Sequence, residues 1–214
     1  MSVAMIPLED LLRFIREDAP WGDVTTDAVI PDVACRAVVR AKDRGTIAGL
    51  AEAQALFEHF GVRVRARSAD GRTVAPGDRL LELDGPARAV LLVERTALNI
   101  IGRMSGIATR TREAVETVRE VAPGVRIAAT RKTAPGLRVL DKKAVVLGGG
   151  DPHRYTLSDM VLIKDNHLAL VPLPEAVRRA RTGSLYRTVE VEVETTEDAI
   201  TAAGAGADII LLDN

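Results

Sequence analysis

Four apolar runs in this sequence empty into polar side chains: "VRIAA" into Thr130, Arg131 and Lys132; "VLI" into Lys164, Asp165, Asn166 and His167; "VEV" into Glu192 and Glu194; and "DIILL" into Asp213 and Asn214. A fifth stretch, "GGGDPHR", adds His153 and Arg154. One such ending is an ordinary turn, whereas four point to a site, because in parallel β/α architectures the carboxyl ends of the strands share a rim on which chemistry is placed. On that rim Arg131, Lys132, Lys164, His153 and Arg154 outnumber the carboxylates Glu192 and Asp213. Excess positive charge in a walled cavity favours an anionic ligand, and two carboxylates within it suit Mg²⁺ or a developing cation. The expected ligand is therefore phosphorylated or a polycarboxylate.

Each of these features also has a plainer explanation. An Arg-Lys pair after a strand is often a solvated loop. The triple glycine at 148–150 fits neither a P-loop nor a dinucleotide pattern, so a helix stop is the better expectation. His153 and His167 share no helical face and make a poor zinc pair, and His59, on a polar helix face, is expected to be solvated. Val90, Val93, Ala97, Ile100 and Met104 recur three and four apart, as a buried helix face does.

The elements that must position these residues change character near residue 103. Leu8, Leu11, Leu12 and Ile15 predict a helix, broken by Pro20 and Gly22 in "APWGDVTTD". Strands are expected in "CRAVVRAKDRGTIAG", "VRVRARS" and "DGRTVAPGDRLLELDG", with a helix "LAEAQALFEHFG" closed by Gly61. The glycine-punctuated third stretch is similar to half of a biotinyl or lipoyl domain but is followed by a helix, and is taken as a packing motif. Helices follow over 86–103 and in "GIATRTREAVETVREV". Thereafter strands "VRIAATRKT", "MVLIKDNH", "LYRTVEVEVET" and "DIILLDN" alternate with helices "PGLRVLDKKAVVLGGG", "LPEAVRRARTG" and "TEDAITAAGAGA". That rhythm predicts a parallel sheet, open or curled toward a barrel. Residues 1–103 are expected to form an α/β layer with a linking helix, and residues 104–214 the part that carries the rim.

Composition narrows the partners. The chain has 214 residues, 47% of them hydrophobic and 28% charged, with a net charge of −1. That is the balance of an ordinary globular protein, and its scattered cations make no stripe for a nucleic acid. No run reaches the roughly 20 apolar residues of a membrane span, and the acidic amino terminus lacks the pattern of an export signal. The single cysteine, Cys35, reads as a small core residue, and a reducing, cytoplasmic setting is expected.

The blocks "ERTALNIIGRMSGIAT", "ATRKTAPGLRVLDKKAVVLGGGDPHRYTLSDMVLIKDNH", "VEVEVET" and "ADIILLDN" resemble, in order and spacing, the motifs of the quinolinate phosphoribosyltransferase family. The resemblance runs from about Trp21 to the last residue. It implies an amino-terminal α/β sandwich followed by an incomplete parallel β/α barrel, ending at Asn214 before the last barrel units of the family. It also implies a homodimer, or a higher homo-oligomer, in which each sandwich covers the partner's barrel mouth. The implied reaction joins quinolinate to 5-phosphoribosyl-1-pyrophosphate with Mg²⁺, giving nicotinate mononucleotide, pyrophosphate and carbon dioxide, a step of NAD biosynthesis.

Carried over by position, Arg131, Arg154 and Lys164 resemble the family's clamp on the two quinolinate carboxylates, with Thr130, Lys132 and His153 beside them. Arg95 of "ERTALN" resembles an arginine that reaches into the neighbouring subunit. Glu192 and Asp213 match an acidic pair near the ribose and Mg²⁺; Glu192 is preferred to Glu190 for its 21-residue spacing to Asp213. Lys132, Glu192 and Asp213 are the expected catalytic groups. Departure of pyrophosphate leaves oxocarbenium-like charge that carboxylates stabilise. Decarboxylation then leaves negative charge that the cationic ring nitrogen can hold, so transfer should come first. Two other readings stand beside this one: a non-catalytic or truncated homologue that binds a dicarboxylate, and a molybdenum-transport-associated relative of the same fold.

Overall fold

The spacing of Leu8, Leu11, Leu12 and Ile15 produces α1 (Leu8–Asp18), which turns Leu11 and Ile15 inward and carries Glu9 and Asp10 in its first turn, where acidic side chains suit the helix dipole. The computed structural model describes residues 6–213. These fall into two units, Met1–His153 and Arg154–Asn214. Asn214 and the first five residues of the stretch read for an export signal lie outside the described residues.

In the first unit a short helix, α2 (Val24–Val29), stands where only a break was expected. Its signal was present: Asp23 caps it by accepting the Thr25 and Thr26 N–H groups at 3.1 and 3.0 Å. β1 (Ala34–Arg40) alternates between exposed and half-buried residues. It pairs antiparallel with β5 (Arg79–Pro86), which also pairs with β3 (Arg63–Arg67), in the order β1-β5-β3. β2 (Gly45–Thr46) and β4 (Thr73–Val74) form a small antiparallel pair. α3 (Leu50–His59) ends near Gly61, whose φ of 78° suits glycine.

The helices expected over 86–103 and 106–121 are one uninterrupted 35-residue helix, α4 (Ala87–Val121). Val90, Val93, Ala97, Ile100 and Met104 are buried along it, and the stripe continues through Ala108 to Val115. Gly102 and Gly106 each weaken the helix by about 1 kcal/mol; the continued burial outweighs that. α1, α3 and α4 share one apolar core with the β1-β5-β3 sheet, and Cys35 packs half-buried against it.

The strand expected in "VRIAATRKT" shrinks to a single parallel bridge between Ala128 and Asp151. Val125, Arg126 and Ala128 are exposed, so this segment lacks the two-sided cover that sustains a central parallel strand. α5 (Arg138–Leu147) forms as expected.

The second unit holds β6 (Val161–Ile163), α6 (Asp165–Leu168), α7 (Leu173–Gly183), β7 (Val189–Val193), α8 (Thr196–Ala205) and β8 (Ile209–Leu212). The three strands are parallel in the order β6-β7-β8. Val189, Val191 and Val193 turn one face of the sheet onto Leu173, Val177 and Ala202 of the two helices. The strand read through His167 ends sooner, at Ile163. Asp165, Asn166 and His167 are exposed, and a helical turn satisfies their backbone, with the Leu168 N–H on the Lys164 carbonyl at 3.0 Å.

Candidate active site

In the first unit the site begins at the Ala128–Asp151 bridge, held by the Ala129 N–H on the Asp151 carbonyl at 2.8 Å and the Asp151 N–H on the Ile127 carbonyl at 2.7 Å. Both segments run the same way, so Thr130, Arg131 and Lys132 leave the bridge on the same side as His153. The Thr130 hydroxyl accepts the Lys132 N–H at 3.1 Å, and the Thr133 N–H reaches the Arg131 carbonyl at 2.9 Å, which turns the loop. Lys132 is exposed and Arg131 half-buried. Arg131 Nε is buried with no hydrogen-bond partner among the described residues, a costly state that an anionic ligand would relieve. Arg95 is exposed on α4 and lies on neither segment.

The triple glycine serves packing. A Cβ at Gly148 would stand 2.5 Å from the Ala108 carbonyl oxygen, and one at Gly150 2.8 Å from Thr111 Cγ2; only glycine lets α5 and its exit lie this close to α4. A cavity of about 690 Å³ in this unit is lined by Arg13, Asp18, Thr96, Asn99, Arg103 and Gly136 among others, and by none of the predicted site residues. Its two arginines are already engaged, Arg103 with Asp141 at 2.7 and 2.8 Å and Arg13 with the Gly136 carbonyl.

The second unit opens with Arg154, whose Nη1 lies 3.4 Å from the Met160 carbonyl. The loop after it is built on Asp159, which accepts the Tyr155 and Thr156 N–H groups at 2.7 and 2.9 Å and the Thr156 hydroxyl at 2.7 Å. Those bonds, that of the Thr156 hydroxyl foremost, lower the Asp159 pKa, and burial raises that of Tyr155.

Register then decides which side chains meet. Ile163 lies beside Val191, so Lys164, still extended at φ −151° and ψ 179°, stands next to Glu192. Glu192 lies beside Leu211, and Asp213 follows two residues later on the same face, its N–H on the Val193 carbonyl at 2.9 Å. Lys164, Glu192 and Asp213 thus occupy the carboxyl ends of three adjacent strands, on the face away from the valine core. Lys164 Nζ lies 3.8 Å from Asp165 Oδ1 and the side chain is 40% exposed, which leaves it open to a ligand. Glu190 shares this face one pleat deeper and is buried, whereas Glu192 is half-buried at the rim. The described residues contain no group of three or more His, Cys, Asp or Glu side chains able to hold a metal alone. Two carboxylates on one face suit Mg²⁺ that arrives with substrate phosphates and keeps several waters.

Residues 107–214 match the family described as quinolinate phosphoribosyl transferase, C-terminal domain, and residues 23–105 match its N-terminal domain. The chain belongs to the quinolinate phosphoribosyltransferase family. The probable nicotinate-nucleotide pyrophosphorylase [carboxylating] of Methanothermobacter thermautotrophicus is 47% identical over 210 residues, covering 96% of this chain and 75% of that protein. The human nicotinate-nucleotide pyrophosphorylase [carboxylating] is 38% identical over 204 residues, covering 94% of this chain and 68% of its own length. The crystal structure of NadC from Streptococcus pyogenes superposes with a TM-score of 0.91 at 37% identity, over 100% of this chain and 78% of that one.

Within the chain, sequence reasoning passed over Asp141, Lys142 and Lys143 as mere helix residues. All three are buried. Three consecutive charged residues flanked by Val139, Leu140 and Ala144–Leu147 of the same helix were the signal, because charges are rarely buried without partners. Asp151 and Asp159, which shape the loops around His153 and Arg154, carry only the weak signal of Asx-type turn residues.

Proposed function

We propose that the chain transfers the phosphoribosyl group of 5-phosphoribosyl-1-pyrophosphate to the ring nitrogen of quinolinate and releases carbon dioxide, forming nicotinate mononucleotide and pyrophosphate for NAD synthesis. The observation that carries this reading is the convergence of Lys164, Glu192 and Asp213 at three parallel strand ends, in a chain of this family. Arg131, Arg154 and Lys164 hold the two carboxylates of quinolinate, with Thr130, Lys132 and His153 beside them; a planar guanidinium pairs bidentately with a carboxylate. Glu192 and Asp213 face the ribose and stabilise positive charge as pyrophosphate departs. They are also the residues that would hold Mg²⁺, which when bound neutralises charge on the leaving pyrophosphate. The clamp fixes the ring so that its carboxylate leaves as carbon dioxide after the N-glycosidic bond has formed; the cationic nitrogen then stabilises the electron pair left on the ring carbon, which takes a proton from solvent to give nicotinate mononucleotide.

In the same reading, β6, β7 and β8 are an arc of a β/α barrel whose polar face lines the mouth, and residues 1–103 and 104–214 form the sandwich and barrel domains. A homodimer brings Arg95 of one subunit to the other's site, and the protein works in the cytoplasm. The test of the clamp is calorimetric titration of quinolinate into Lys164→Ala. Loss of one charged contact should weaken binding about tenfold or more; unchanged affinity would remove Lys164 from the clamp.

A further inference from the structure

His153 is the one non-glycine residue with positive φ, 51°, among the described residues, a conformation uncommon outside glycine even though histidine adopts it more often than most residues do. Its neighbours enforce it. Asp151 Oδ1 accepts the His153 N–H at 2.8 Å, while Asp151 Oδ2 pairs with Arg126 Nη2 at 2.7 Å. On the other side of the turn the Lys142 ammonium donates to the Pro152 carbonyl. Lys142 is 0% exposed, and a lysine withdrawn from water is retained only where its charge is used, since methionine would fill the same space without the desolvation penalty. Its neighbours in α5 point to other tasks: Asp141 to Arg103 of α4, and Lys143 to Glu52 of α3 at 2.5 Å.

We propose that Lys142 and Asp151 are positioning residues that hold the Pro152–His153 turn in its left-handed conformation, so that His153 and the Arg154 that follows are presented ready-made to the anionic substrate. The proposal rests on the functional reading above for the identity of that substrate, not for the conformation itself. Preorganisation of this kind acts on affinity, because a side chain that must first be ordered contributes less on binding. Neither residue touches substrate, so their loss should weaken binding of the ligand held by the turn and spare the other.

The chain has 3 histidines, so the imidazole resonances of His59 and His167 serve as internal references for His153. The experiment records them by NMR in the wild-type protein, Lys142→Met and Asp151→Ala, alongside quinolinate titration and the KM for each substrate. In both variants the His153 resonance should move while His59 and His167 stay in place. Lys142→Met should raise the quinolinate Kd about tenfold, with a smaller rise for Asp151→Ala and little change in the KM for phosphoribosyl pyrophosphate. Asp151 lies outside the core, so Asp151→Ala gives the answer even where Lys142→Met does not fold. An unmoved His153 resonance in the folded variants overturns the proposal. A resonance that moves in a protein whose wild type takes up no quinolinate upholds the positioning and refutes the functional reading instead.

Discussion

Arg131 combines the two properties a carboxylate clamp requires: a planar fork of donors and a buried Nε left without a partner among the described residues. An ammonium in the same place would supply charge without the fork. Arg131→Lys should therefore weaken quinolinate binding about tenfold with the fold intact, as read by calorimetry beside a circular dichroism spectrum; wild-type affinity would mean that the Nε has another purpose. At this scale the candidate residues were legible, because Arg131, Lys132, Lys164, Glu192 and Asp213 each interrupt an apolar run, and strand alternation alone foretells the face on which the structure places Glu192. Lys142 was not legible, since its significance lies in a contact with the Pro152 carbonyl that no local pattern encodes.

At the scale of elements, the loop between Arg154 and β6 depends on one carboxylate. Asp159 ties down two backbone N–H groups and a hydroxyl, and these bonds hold its pKa below the usual 3.8. A carboxyl group whose folded pKa is lowered stabilises the fold above its unfolded value, and that contribution is lost as pH falls through the lowered one. The Tyr155 and Thr156 amides should accordingly lose protection, measured against their intrinsic exchange rates, below pH about 4, and Asp159→Asn should lower that protection already at pH 7; protection indifferent to both changes would deny Asp159 its role. Most helices and strands were foreseeable from periodicity. The exceptions have physical causes: continued burial joins two expected helices into α4 across Gly102 and Gly106, and missing cover reduces a strand to the Ala128–Asp151 bridge.

For the whole molecule, the residues of the proposed clamp and acidic pair come from both units: Arg131, Lys132 and His153 belong to one, Arg154, Lys164, Glu192 and Asp213 to the other. If Arg95 acts across a dimer, Arg95→Ala and Lys164→Ala are each defective, yet subunits exchanged between them regain about a quarter of wild-type turnover, because half the dimers then hold one intact site; no recovery would place Arg95 in its own subunit's site. The parallel order of β6, β7 and β8 was foreseen from the βα rhythm, whereas pairings across subunits leave no periodic trace in a chain. The most direct test of the whole account is to supply the purified protein with Mg²⁺, phosphoribosyl pyrophosphate and quinolinate carrying a labelled 2-carboxylate, and to follow three products together. Nicotinate mononucleotide, pyrophosphate and labelled carbon dioxide should appear in equal amounts. A folded protein that forms no nicotinate mononucleotide, or whose product keeps the labelled carboxylate, would contradict it.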